Sequence, residues 1–214
     1  MNGQRLVTGM LMFALWPAGA ALAAKADTAP QKVIETAANR VLQAIDGRRD
    51  ELRDNPEELY GIVEDILLPH FDTEYASRLV LARSYRQASE DQRERFQEAM
   101  ADSLVRTYAD GLLELTADTM EVLPLREKPD GDRVTVATEI TLEDGTKAPV
   151  NYVMHRVNGE WKVFDVYIEG ISYVLNYRKQ LGAEIRQAGL EQVIERLEKD
   201  PEAIEAVTPG ADDS

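Results

Sequence analysis

The stretch from Glu160 to Leu181, Glu-Trp-Lys-Val-Phe-Asp-Val-Tyr-Ile-Glu-Gly-Ile-Ser-Tyr-Val-Leu-Asn-Tyr-Arg-Lys-Gln-Leu, decides the fold. Trp161 to Ile168 is dense in aromatic and β-branched residues, which suit a pleated, half-buried surface, and reads as a strand. Glu169-Gly170 breaks that run. Beyond it Ile171, Val174, Leu175, Leu181 and Ile185 recur at helical spacing, so an amphipathic helix leaves the strand and folds back over the sheet.

Working toward the N-terminus, three more runs favour strands: Met120 to Leu125, Arg133 to Leu142 and Val150 to Val157. Between these runs lie Lys128-Pro129-Asp130-Gly131-Asp132, Glu143-Asp144-Gly145-Thr146 and Asn158-Gly159, and the last is a strong two-residue hairpin signal. Short turns make the four strands an antiparallel meander. Val134, Val136, Thr138, Ile140 and Leu142 alternate with Thr135, Glu139 and Thr141, so one face is predicted buried and the other wet. The same alternation puts Trp161, Val163, Asp165 and Tyr167 on one face of the last strand.

The half before the sheet reads as helical. Val33, Ile34, Ala37, Val41, Leu42 and Ile45 predict a helix over 31–46, with Gly47 at a stopping point and a charged connector from Arg48 to Asn55. Asn55 is a candidate N-cap and Pro56 a first-turn residue for a helix over 57–68. After Pro69 and the loop His70-Phe71-Asp72-Thr73, a helix from Tyr75 to Tyr85 carries Leu79, Val80 and Leu81. Ser89 with Gln92 three positions on is a capping box opening a long helix, whose inward stripe runs from Phe96 to Leu112. At the other end, Gly189 breaks the chain before a helix with Leu190, Val193, Ile194 and Leu197. No repeat or long linker interrupts the sequence, so the prediction is one α+β domain over 24–200, a helical layer on a four-stranded antiparallel sheet, with an acidic tail at 201–214 predicted to fray.

Residues 1–23 are set apart. Arg5 precedes the apolar run Leu6 to Trp16, and small residues follow, with an Ala-x-Ala site at Ala21-Leu22-Ala23. These are the parts of a cleavable secretory signal peptide. The chain has no cysteine, which excludes disulfides, thiolate metal sites, a thiol nucleophile and a lipidated N-terminal cysteine. Its formal charge of −15 becomes −16 once Arg5 leaves with the leader, a sign that disfavours nucleic acid as a partner. Export without disulfides fits a Gram-negative periplasm.

Signals for catalysis or metal binding are sparse. His70 and His155 are the only histidines, no H-E-x-x-H, G-x-S-x-G or P-loop pattern occurs, and both rings read as structural. Asp165 interrupts an apolar strand, so it either faces a pocket as a base, in the manner of small isomerases and hydratases, or faces solvent or a helix end. Tyr85, Phe96, Met100, Tyr108, Tyr152, Met154, Trp161, Tyr173 and Tyr177 fit a filled core or the wall of a cavity, which periodicity alone does not separate.

The order W-K-V-F-D-V then E-G-I-S-Y-V-L-N-Y-R resembles the MlaC/Ttg2D family of periplasmic phospholipid-binding proteins. Three further segments match in register: Pro69 to Thr73; Ala76 to Ser89 leading into Gln92, Phe96 and Met100; and Tyr177 to Leu197. Ala82-Arg83-Ser84-Tyr85 departs from it, where the family would place a glycine and an aromatic differently. The resemblance implies an apolar pocket between helices and sheet, no enzymatic activity, no cofactor and no metal. It implies a phospholipid cargo carried between an outer-membrane MlaA-like lipoprotein complex and an inner-membrane ABC transporter with an MlaD-like subunit, which maintains outer-membrane lipid asymmetry. The acidic charge suits such a carrier, because it repels anionic membranes over long range. Inward position together with the resemblance gives the expected pocket wall as Leu79, Tyr85, Phe96, Met100, Leu104, Tyr108, Val136, Tyr152, Met154, Val163, Val174 and Tyr177. A carrier of another lipid, hopanoid or sterol-like, is the near alternative, and an isomerase or hydratase using Asp165 is the distant one.

Overall fold

A computed structural model of the chain describes residues 29–116, 119–125, 131–141, 145–201 and 204. The predicted leader at 1–23 and most of the predicted acidic tail at 201–214 lie outside these residues. The first helix, α1 (Pro30–Ile45), buries Ile34, Ala37, Val41 and Ile45 along one stripe. Arg48 to Asn55 is not a plain connector: Arg49–Asp54 forms a short helix, α2, which buries Leu52. α3 (Pro56–Ile66) starts at Pro56, but the Asn55 side chain donates to Glu58 Oε2 at 3.2 Å instead of capping the helix. The predicted helix to Leu68 stops at Ile66 and gives way to a 3₁₀ turn, Leu68–His70.

Asp72 caps α4 (Thr73–Leu81), its Oδ1 accepting from Tyr75 N at 2.9 Å. Ala82 has φ 51°, so the helix ends there and not at Tyr85, and Ser84–Arg86 makes a second 3₁₀ turn. The capping box on α5 (Glu90–Leu112) forms as expected: Gln92 N donates to Ser89 Oγ and Ser89 N to Gln92 Oε1.

The sheet is an antiparallel meander of five strands, β1 (Met120–Val122), β2 (Arg133–Thr141), β3 (Lys147–Val157), β4 (Glu160–Ile168) and β5 (Ile171–Ser172), in that spatial order. Asn158 and Gly159 turn between β3 and β4 with φ of 52° and 84°, the left-handed pair that a two-residue hairpin favours. β5 is the strand absent from the four-stranded expectation. Glu169 and Gly170, at φ 50° and 85°, fold Ile171-Ser172 back on β4 before α6 (Tyr173–Ala188) begins. α7 (Leu190–Lys199) follows Gly189.

A one-residue bulge changes the reading of β4. Met154 pairs with Val163 but Val153 pairs with Asp165, which leaves Phe164 as the extra residue. Every side chain beyond it changes face. Val163 and Val166 therefore share the face of Met154, whereas Asp165 lies with Val153 on the other, and the simple alternation that grouped Val163 with Asp165 fails.

Three apolar centres result. α1 covers the Met154 face, with Ile34 against Val136, Met154, Trp161 and Val163. The helices α1, α2, α3 and the end of α5 share a second centre built on Val41, Leu52, Leu59 and Val105. A third lies among α4, α5, α6 and α7 around Leu81, Phe96, Tyr177, Leu181 and Ile194. Ile204, in the segment predicted to fray, is 2% exposed and packs into this third centre. Arg95 ties α5 to α7 through Glu191 at 2.6 Å and Glu198 at 2.7 Å.

Candidate functional site

An apolar cavity of about 100 Å³ lies where α1, the turn after α3, the end of α5 and the sheet converge. α1 contributes Ile34, Ala37, Ala38, Val41 and Leu42, and the turn contributes Leu67, His70 and Phe71. Leu112 and Leu115 close one end, and Met120, Tyr152 and Val163 form the floor. Sequence explains the space. Ala37 and Ala38 present methyl groups where the rest of the α1 stripe presents larger side chains, so the helix seats on the sheet without filling the gap between them.

The bulge at Phe164 also sets the opposite wall. Asp72 N donates to Val163 O at 2.8 Å, and Phe71 bridges in parallel to Val163, which pins the 3₁₀ turn to β4 and brings His70 and Phe71 to the cavity. Burial pushes His70 below the usual histidine range, helped by the positive charges of Lys162 and Arg40 and opposed by Glu160. Tyr152 on the floor is pushed above the ordinary phenol range by burial, against the influence of a hydrogen bond with Thr138.

The expected pocket wall divides between two of the three centres. Tyr152 and Val163 line the cavity, and Val136 and Met154 belong to the same sheet-face core without bordering the space. Phe96, Met100, Val174 and Tyr177 are buried in the α4–α7 centre, with Leu79, Tyr85, Leu104 and Tyr108 packed against it. There the Tyr108 and Tyr177 hydroxyls meet at 2.6 Å and the Tyr173 ring stands 5.4 Å from Tyr108. This second set shares one interior with itself and does not reach the cavity. α1, which supplies five of the lining residues, carries none of the predicted ones, and Leu112 and Leu115 at and beyond the end of α5 are not among them either. Small residues on an otherwise bulky stripe, Ala37 and Ala38, were the available signal.

Asp165 is 8% exposed and already engaged. Its Oδ1 accepts from Val174 N at 3.0 Å and its Oδ2 from Ser172 Oγ at 2.6 Å, while Ser172 Oγ accepts from Leu175 N at 3.0 Å. A carboxylate at the start of α6 complements the helix dipole and satisfies donors the helix leaves open. It lies on the sheet face away from the cavity, so the helix-end alternative describes it and the pocket-base alternative does not. His155 is on that face too. It holds Asp72 Oδ2 at 2.7 Å, with the Tyr75 and Phe164 rings at 4.7 and 4.9 Å, a strut between β3 and the start of α4. Among the described residues no group of three acidic, histidine or cysteine side chains is placed to hold a metal ion, and no helix is long and apolar enough to cross a membrane.

The architecture is α+β, with an apolar cavity set between its first helix and the sheet. Residues 35–199 match the family described as MlaC protein, and the chain belongs to that family. It is 29% identical over 161 residues to the toluene tolerance protein ttg2D of Pseudomonas putida, covering 75% of this chain and 74% of that one. It is 25% identical over 177 residues to the intermembrane phospholipid transport system binding protein MlaC of Haemophilus influenzae, covering 81% and 83%. Among solved structures, the phospholipid-binding protein from Ralstonia solanacearum, determined in complex with a phospholipid, superposes with a TM-score of 0.73 over 81% of this chain and 97% of that one. At 24% identity that likeness is one of fold.

Proposed function

We propose that this chain is a periplasmic phospholipid carrier that binds its cargo by the acyl chains and performs no chemistry on it. The observation that carries the reading is the apolar cavity between α1 and the sheet, lined from two helices and three strands in a fold whose relatives are described as phospholipid-binding. An engineered cavity of ~150 Å³ holds one benzene, so about 100 Å³ holds less than one acyl chain. Loading therefore requires α1 to part from the sheet.

Energy favours the loaded state. Each buried methylene contributes roughly 0.8 kcal/mol, so a full-length tail supplies on the order of 10 kcal/mol to set against the opening of α1. Release then needs a partner that prefers the open arrangement, because a ligand or partner shifts such an equilibrium only by its differential affinity for the two states. An inner-membrane ABC transporter complex with an MlaD-like subunit and an outer-membrane MlaA-like lipoprotein are the partners this reading assigns, with the chain moving lipid between them. The cleavable leader at 1–23 puts it in the same compartment.

The test is direct. Protein purified from a bacterial periplasm, extracted with organic solvent and analysed by mass spectrometry, is expected to yield about one diacyl phospholipid per chain. Folded protein with a lipid-free extract overturns the proposal, and an extract of hopanoid or sterol-like molecules replaces it with the other carrier.

A further inference from the structure

A histidine with two cations acting on it borders the apolar cavity of a strongly negative protein. His70 borders the apolar space directly. Lys162 follows Trp161 and precedes the cavity residue Val163 on β4, pairs with His155 on the other sheet face, and from there extends its Nζ to the carbonyl of Pro69, the neighbour of His70. Arg40 on α1 is exposed, stands one helical turn from Ala37 and next to Val41 in sequence, and has no hydrogen bond or ion pair among the described residues. Both cations are close enough to act electrostatically on the His70 ring. One acid tempers them: Glu160 lies 3.5 Å from Lys162 Nζ. The chain as a whole carries a formal charge of −15, so two cations acting on a histidine that borders an apolar cavity run against the general field.

Resting on the carrier reading above, we infer that Arg40, His70 and Lys162 form a phosphodiester subsite, which holds the headgroup phosphate at the rim while the tails occupy the cavity. Lys162 is already held by the Pro69 carbonyl, so it needs little ordering to meet an anion. Arg40 supplies a planar fork of donors matched to phosphate oxygens, with no competing carboxylate among the described residues. His70 is held toward its neutral form by its apolar surroundings and by the two cations. An anion arriving beside it opposes both effects, so headgroup binding draws a proton onto the ring. The acidic remainder of the surface repels free anions and phosphate-rich membranes, and this leaves the rim selective for a phosphate delivered with its tails.

The experiment uses delipidated full-length mature protein and two soluble probes with identical tails, dihexanoylphosphatidylglycerol and dihexanoylglycerol, compared by titration calorimetry. The wild type is expected to bind the phosphate-bearing probe about tenfold more tightly, with the ratio shrinking in high salt because the rim is exposed. In Arg40→Gln and Lys162→Gln, each checked for an unchanged circular dichroism spectrum, the ratio is expected to fall toward one. In parallel, the His70 ring signals of the wild type followed by NMR across pH should titrate at higher pH with the phosphate probe bound than with the diacylglycerol bound. Equal affinity for the two probes in the wild type overturns the subsite and leaves the carrier reading standing. Failure to bind either probe overturns both. Competition by inorganic phosphate at concentrations matching the lipid's affinity shows a free-phosphate site and overturns the headgroup assignment.

Discussion

Asp165→Ala is expected to lower stability by about 3–5 kcal/mol, a large share of the 5–15 kcal/mol that holds a typical domain together. The side chain is 8% exposed and accepts two hydrogen bonds, from Val174 N at 3.0 Å and Ser172 Oγ at 2.6 Å. Hydrogen bonds to a charged group contribute roughly 1.5–3 kcal/mol each, and alanine leaves both donors facing an apolar gap. The loss propagates, because Ser172 Oγ turned toward Asp165 is the same oxygen that accepts from Leu175 N, so the first turn of α6 loses its order. Asp165→Asn separates this role from chemistry. The amide oxygen still accepts from Val174 N, and its NH₂ group can donate to Ser172 Oγ, so only the serine hydroxyl proton loses its acceptor and the expected cost is about 1–2 kcal/mol. Denaturant melts of both variants check the order, and the lipid content of the asparagine protein should equal that of the wild type. A well-folded Asp165→Asn protein that has lost its cargo contradicts a purely structural carboxylate.

That residue also marks how far the sequence could be read. A carboxylate in an apolar strand is conspicuous, but which way it points depends on Phe164 being extra, and nothing in Trp161 to Ile168 announces a bulge. Strict alternation then carries Asp165 to the wrong face. Local signals with a fixed backbone chemistry fared better: Ser89 with Gln92, Asn158-Gly159 and Gly189 all did what their residue types require. β5 was hidden because two residues are too few to show a period, although Glu169-Gly170 at positive φ makes the fold-back possible. The cavity was the least legible feature. Large aromatic residues advertise an interior, so Phe96, Tyr108 and Tyr177 point to the α4–α7 centre, to which they belong and which does not border the α1 cavity. A void is made by side chains that stop short, and in α1 those are alanines.

Ala38→Leu should empty the protein of lipid while leaving it folded. Ala38 lines the cavity on α1 and is only partly buried, so a leucine there enters existing space without displacing a packed neighbour. Cavity volume costs about 24 cal/mol per Å³, so filling about 100 Å³ returns at most about 2 kcal/mol, and partial filling returns less. The delipidated variant is therefore expected to melt at or above the delipidated wild type, whereas overpacking a filled core would have cost about 1–3 kcal/mol. Function moves the opposite way. The added methyls hold the ground between α1 and the floor of Met120, Tyr152 and Val163, and every methylene of cargo must displace them before it gains its own burial. Extraction and mass spectrometry should find lipid near background in Ala38→Leu. As the contrast, Tyr177→Phe removes the hydroxyl that meets Tyr108 inside the α4–α7 centre, away from the cavity, and should keep its cargo. The reverse outcome, a loaded Ala38→Leu and an empty Tyr177→Phe, would move the acyl chains into the interior around Phe96 and Tyr177 and leave the α1 cavity as a packing defect.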